Sequence, residues 1–111
     1  LAGGAMGMVL ACDMRIAVSS AKFFYPVMKL GVLPQPSDPG RMAALVGPAR
    51  AKLVFLGAER WDADTALSFG LIDAIENDPL AAAMVLSEAA CAGDRHHAIA
   101  VKAMLAGSGR A

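Results

Sequence analysis

The chain has 111 residues, 57% hydrophobic and 18% charged, with ten basic and ten acidic side chains. Such apolar content suits one small packed domain and excludes disorder as the default, while a net charge of zero supplies no positive field to gather nucleic acid or an anionic membrane surface. The longest apolar-or-glycine run, Leu1 to Cys12, is shorter than the roughly 18 residues a membrane-spanning helix needs.

In chain order, the first predicted element is a helix ending near Cys12, Gly-rich at its start and then apolar on every side, a pattern expected of a buried helix. Met14 to Val18 has the alternation and β-branching of a strand, Ser19 and Ser20 turn the chain, and Lys22 to Tyr25 is a second extended piece stopped by Pro26. Gly31 to Gly40 contains Pro34, Pro36 and Pro39 and reads as a stiff loop. Ser37 or Asp38 is expected to cap the next helix, with Pro39 in its first turn and Gly47 at its end. A further helix starts at Pro48 and stops at Gly57, and Asp62 caps a short one, Ala63 to Phe69, closed by Gly70. Leu71 to Ile75 reads as a brief strand, and Asp78-Pro79 opens an Ala-rich helix reaching Ala92. His96 to Leu105 is the last predicted helix, and Gly107 to Ala111 has the composition of a flexible end.

Read for chemistry, Gly3-Gly4-Ala5-Met6-Gly7 at a helix start has two readings. Its unpaired N–H groups could serve an anion or a developing oxyanion, or its small residues could simply allow close packing. It matches neither the dinucleotide fingerprint nor a phosphate-binding Lys-Ser/Thr loop. Cys12 and Cys91 are isolated thiols suited to a reducing cytoplasm, and the start at Leu1 without a basic leader reads as an excerpt from a longer cytoplasmic chain. Adjacent His96 and His97 would point about 100° apart on a helix, with no companion ligands, so no metal site is expected. Trp61 is expected to pack between helices, and Lys102 to sit solvated near a helix end.

The ordered series Ala2-Gly3-Gly4-Ala5, Ala11-Cys12-Asp13-Met14-Arg15-Ile16-Ala17, Ala21-Lys22-Phe23, Pro26, Leu30-Gly31, Pro34, Val46-Gly47 and Gly70-Leu71-Ile72 resembles the crotonase (enoyl-CoA hydratase/isomerase) superfamily over nearly the whole chain. The resemblance extends to Ala49-Arg50-Ala51, Leu56-Gly57-Ala58 and the helix after Asp62. It implies an α/β fold in which residues 1–111 form a single partial domain. Residues 1–75 would be the end of a ββα spiral core with its helices, and 76–111 the start of a C-terminal helical region. It also implies an acyl-CoA thioester as substrate, with coenzyme A entering only as part of it and no separate cofactor, and assembly as homotrimers or hexamers.

In that family two backbone N–H groups stabilise an enolate, and Gly4 occupies the position of the second donor, the first belonging to an N-terminal half that this chain lacks. The resemblance places Gly3, Gly4, Gly7, Tyr25, Val27 and Gln35 around the substrate. The two glutamates that hydratases use as acid and base fall, by register, at Gly7 and Val27, neither of which can exchange a proton, so ordinary hydration is not expected. The same Val27 weakens the isomerase arrangement. Asp38, the only carboxylate between Asp13 and Glu59, is the candidate replacement base, although its place before a helix fits a cap better. Decarboxylation, thioester hydrolysis, isomerisation with a base from the missing half, a non-catalytic CoA-binding or assembly subunit and an inactive truncated chain all remain open.

Overall fold

The computed structural model describes residues 3–108, with the backbone alone described for Gly3, Gly4, Gly107 and Ser108. Helix α1 (Gly3–Ala11) leads into strand β1 (Ile16–Ala17), then β2 (Lys22–Phe23), α2 (Val27–Leu30), α3 (Asp38–Val46) and α4 (Pro48–Phe55). Strand β3 (Trp61–Asp62), α5 (Ala63–Phe69), β4 (Ala74–Ile75), α6 (Pro79–Ala92) and α7 (Arg95–Ser108) complete the order. This mixed helix-and-sheet architecture agrees with the expected class.

Proline and glycine decide where the central helices begin and end. Pro39 enters α3 in its first turn, where a missing N–H costs nothing, and Pro48 does the same for α4. Between them Gly47 turns the chain at φ 91°, a conformation that side chains with a Cβ resist. Asp62 caps α5 as expected, its carboxylate accepting the Thr65 N–H at 2.8 Å, and Gly70 closes that helix at φ 88°.

Two short sheets tie distant parts of the chain together. β1 and β4 are parallel, pairing Ile16 with Ala74 and Ala17 with Ile75. β2 and β3 are antiparallel, pairing Lys22 with Asp62 and Phe23 with Trp61. Arg15 clasps the first pair from beside it. Its Nε donates to the Leu71 carbonyl at 2.7 Å, its Nη1 to the Cys12 carbonyl at 2.6 Å, and its Nη2 lies 3.7 Å from Asp73 Oδ2. These bonds satisfy a guanidinium whose residue is only 8% exposed, as burial of a charge demands.

The core gathers Met6 and Leu10 of α1, Phe23, Tyr25, Val27, Met42, Val46, Val54, Phe55, Trp61, Leu71 and Ile72. Trp61 stacks edge-on against Phe69 at 5.0 Å, and the Arg50 guanidinium covers the Phe69 ring at 4.1 Å.

The elements differ from expectation in several places. Helix α1 buries Met6 and Leu10 but leaves Met8 77% exposed, so it is covered on one side only. Both predicted strands beside the Arg15 clasp are two residues long; the Arg15 N–H donates to the Asp73 side chain at 2.7 Å and the Leu71 N–H to the Ala66 carbonyl of α5 at 2.9 Å. Helix α2 and strand β3 were not expected. Trp61 therefore lies on a strand, its side chain buried against Phe69 of α5. Helix α7 continues through Gly107 to Ser108 where a flexible end was predicted; residues 109–111 lie outside the described residues.

The chain divides into two units, the first running to Pro79 and the second starting at Leu80. The second consists of most of α6 together with α7, and no residue of α6 is buried. Among the described residues no helix is long and apolar enough to cross a membrane.

Candidate active site

Tyr25 lies two residues beyond β2, just before Pro26, whose ring disfavours helical backbone at the residue preceding it. Its ring packs against Phe55 with centroids 5.0 Å apart, and the residue is 4% exposed. The hydroxyl donates to Asp38 Oδ2 at 2.6 Å and accepts the Gln35 backbone N–H at 3.3 Å. A separation of 2.6 Å is typical of a hydroxyl donating to a carboxylate. Burial pushes the Tyr25 hydroxyl above its ordinary pKa of 10.0, and the bond to Asp38 pushes it further in the same direction.

Asp38 is 2% exposed, one of two buried charged residues among those described, the other being Arg15. The expected capping role is not met. Ser37 is the N-cap residue, itself in helical conformation and without a side-chain cap bond, and Asp38 is already the first residue of α3. Its carboxylate turns inward to Tyr25 instead, which leaves the capping function at this helix unused. A negative group in the first turn still gains from the partial positive charge of the helix N-terminus.

Gly7 reaches the same pair from α1. A Cβ built on it would stand 2.9 Å from Asp38 Oδ2 and 3.2 Å from Oδ1, so the carboxylate fills the space in which a side chain at position 7 would begin. Val27, 6% exposed, lines a cavity of about 210 Å³ together with Tyr25, Leu30, Leu33 and Gln35. That cavity is mostly apolar in its side chains.

Five of the residues singled out from the sequence, Gly7, Tyr25, Val27, Gln35 and Asp38, are thus brought together at one place. Gly3 and Gly4 begin α1, in the turn whose N–H groups have no intrahelical acceptor. The sequence reading missed the bond between Tyr25 and Asp38 and the wall formed by Leu30 and Leu33. Gly31, which closes α2 in the left-handed conformation at φ 67°, was the available signal for the turn of helix that places this wall. Among the described residues no three His, Cys, Asp or Glu side chains cluster as metal ligands.

The sequence profile of the family Enoyl-CoA hydratase/isomerase matches residues 1–107. The chain belongs to this family. It is 38% identical over 73 residues to a crotonyl-CoA hydratase of Syntrophomonas wolfei, a match covering 66% of this chain and 28% of that protein. A short-chain-enoyl-CoA hydratase of Clostridium acetobutylicum is 37% identical over a stretch with the same coverage of both. The crystal structure of Pseudomonas aeruginosa DspI superimposes with a TM-score of 0.88 at 31% identity, covering 96% of this chain and 45% of that one. Crotonase-superfamily membership and fold are therefore shown, and the chain spans less than half the length of these relatives.

Proposed function

We propose that the protein carrying this chain acts on an acyl-CoA thioester by stabilising an enolate, and that hydration of a 2-enoyl thioester is not its reaction. The observation that carries this reading is the side chains at the two hydratase acid/base positions, hydrogen at Gly7 and an isopropyl group at Val27. Neither group can protonate carbon or activate water, whereas the enolate step asks first for donors to the thioester oxygen. The Gly4 N–H, in the first turn of α1, supplies one such donor. Gly3 lets the backbone approach the thioester closely, and Val27, Tyr25 and Gln35 border the acyl group. The working assembly is a homotrimer or hexamer in the cytoplasm, with coenzyme A present only as part of the substrate.

The same losses favour a second reading, a non-catalytic CoA-binding or assembly subunit. Kinetics and calorimetry on the complete protein separate the two. The enzyme reading expects micromolar to millimolar acyl-CoA binding, exchange of the substrate α-protons with deuterated solvent and no hydration of crotonyl-CoA. Gly4→Pro should lower the exchange rate by about a hundredfold or more, as expected for loss of an oxyanion donor. Binding without any exchange selects the binding subunit, and efficient hydration of crotonyl-CoA overturns the assignment of positions 7 and 27.

A further inference from the structure

The two vacated acid/base positions converge on one pair of side chains. From α1, the direction of a Cβ at Gly7 leads to the Asp38 carboxylate at 2.9 Å. From α2, Val27 shares a cavity wall with Tyr25, whose hydroxyl is bonded to that carboxylate at 2.6 Å. Asp38 comes from neither of these helices but from the first turn of α3. It reaches its place only because residue 7 has no side chain.

Tyr25 and Gln35 both line the cavity, and the Gln35 N–H donates to the Tyr25 hydroxyl. Asp38 is not among the lining residues and is 2% exposed. Through these two bonds the hydroxyl links Gln35, which borders the cavity, to the Asp38 carboxylate. A tyrosine that served only to fill the core would need one partner for its hydroxyl; here it meets a backbone donor and an ionisable acceptor together.

We infer that Tyr25 is a catalytic residue, its hydroxyl passing a proton between the acyl group in the cavity and Asp38, in place of the carboxylates that positions 7 and 27 do not provide. The inference rests on the acyl-CoA reading given above. In the forward step the Cα–H bond of the thioester breaks and its electron pair moves into the enolate. The proton bonds to the Tyr25 oxygen while the proton already there passes to Asp38 Oδ2. The negative charge that leaves Asp38 reappears on the thioester oxygen, where the Gly4 N–H receives it. The reverse path returns a proton to the enolate and restores both side chains, so no water and no co-reactant is consumed. The raised pKa of Tyr25 fits this order of events, because the hydroxyl is a poor acid alone and moves its proton only as another arrives.

The test is α-proton exchange of a short saturated acyl-CoA in deuterated water, followed by NMR, for the complete protein and its Tyr25→Phe and Asp38→Asn variants. Acyl-CoA affinity and melting temperature are measured in parallel. The expected result is loss of exchange by about a hundredfold or more in each variant, the usual range for a general acid or base, with affinity retained within a few-fold. Near-wild-type exchange in a folded Tyr25→Phe protein overturns the inference while leaving the acyl-CoA reading intact. If that variant does not fold, near-wild-type exchange by Asp38→Asn overturns it instead. Should the wild-type protein bind acyl-CoA without exchange, Tyr25 has no proton to move and the inference fails; should it not bind acyl-CoA at all, both readings fail.

Discussion

A side chain at residue 7 would displace the carboxylate of Asp38. An added Cβ on Gly7 comes to 2.9 Å from Oδ2, closer than carbon and oxygen approach without displacement, and Asp38 is too enclosed to step aside into solvent. The chain thus holds one carboxylate from α3 where a side chain from α1 would otherwise project.

Gly7→Ala is accordingly expected to destabilise the protein by about 1–3 kcal/mol through overpacking, and to break the Tyr25–Asp38 bond. In an Asp38→Ala background most of that penalty should vanish, since the obstructing atoms are gone. Urea denaturation of the four proteins in this cycle gives the coupling directly, expected to be at least about 0.5 kcal/mol for residues in contact. Strictly additive effects would show that the two sites do not compete for space.

Tyr25 should titrate above pH 10.0 in the folded protein, and the order of the causes can be checked. Burial is the larger, so Asp38→Asn should bring the midpoint down without returning it to the ordinary value. The difference in tyrosinate absorbance between the wild type and Tyr25→Phe isolates this residue. Because the folded pKa exceeds the unfolded one, the neutral hydroxyl contributes stability that is complete below pH 10.0 and is lost as the pH rises through the folded value. Tyr25→Phe should remove that alkaline decline.

Much of the helical order was legible because Pro39, Pro48, Pro79, Gly47 and Gly70 act locally, on the residues beside them. The strands were not, since two-residue pairings such as Phe23 with Trp61 depend on partners far along the chain. The same distinction runs through the site. Gly7, Val27 and Asp38 could be found one by one, but Tyr25 and Asp38 are 13 positions apart across the short helix α2 and a proline-rich loop, and no periodicity predicts that their side chains meet. The capping expectation for Asp38 failed for a related reason. Ser37 and Asp38 offer two adjacent capping side chains, but the Asp38 carboxylate accepts from Tyr25 and the Ser37 hydroxyl from the Arg41 guanidinium at 3.4 Å, and neither caps.

Asp62 provides the contrast, an exposed aspartate that does cap its helix. The Thr65 N–H holds its carboxyl below the ordinary value of 3.8, so its contribution to stability is present above that pH and lost as the pH falls through the folded value. Asp62→Ala should lower the melting temperature at pH 7, and the gap between variant and wild type should narrow steadily in acid. A gap independent of pH would remove the capping carboxylate as its cause.

Arg15 should be among the costliest surface-remote charges to delete. Arg15→Met keeps much of the packing but leaves the buried Leu71 carbonyl without its donor, a loss of about 1–3 kcal/mol by the usual cost of a stranded buried group. Chemical denaturation of Arg15→Met and Arg15→Lys tests this, and a change smaller than about 0.5 kcal/mol, the range of ordinary surface substitutions, would rule out the clasp.

The parallel pairing of Ile16 with Ala74 makes everything between them a closed loop, and Tyr25, Val27 and Asp38 all lie inside it while Gly7 lies outside. Closing so long a loop is paid in chain entropy before the contacts it permits are gained, which places such pairings late in folding. Arg15 stands at one end of that loop and bonds to Leu71 and Asp73 at the other, so one guanidinium helps to hold shut the segment that carries the Tyr25–Asp38 pair.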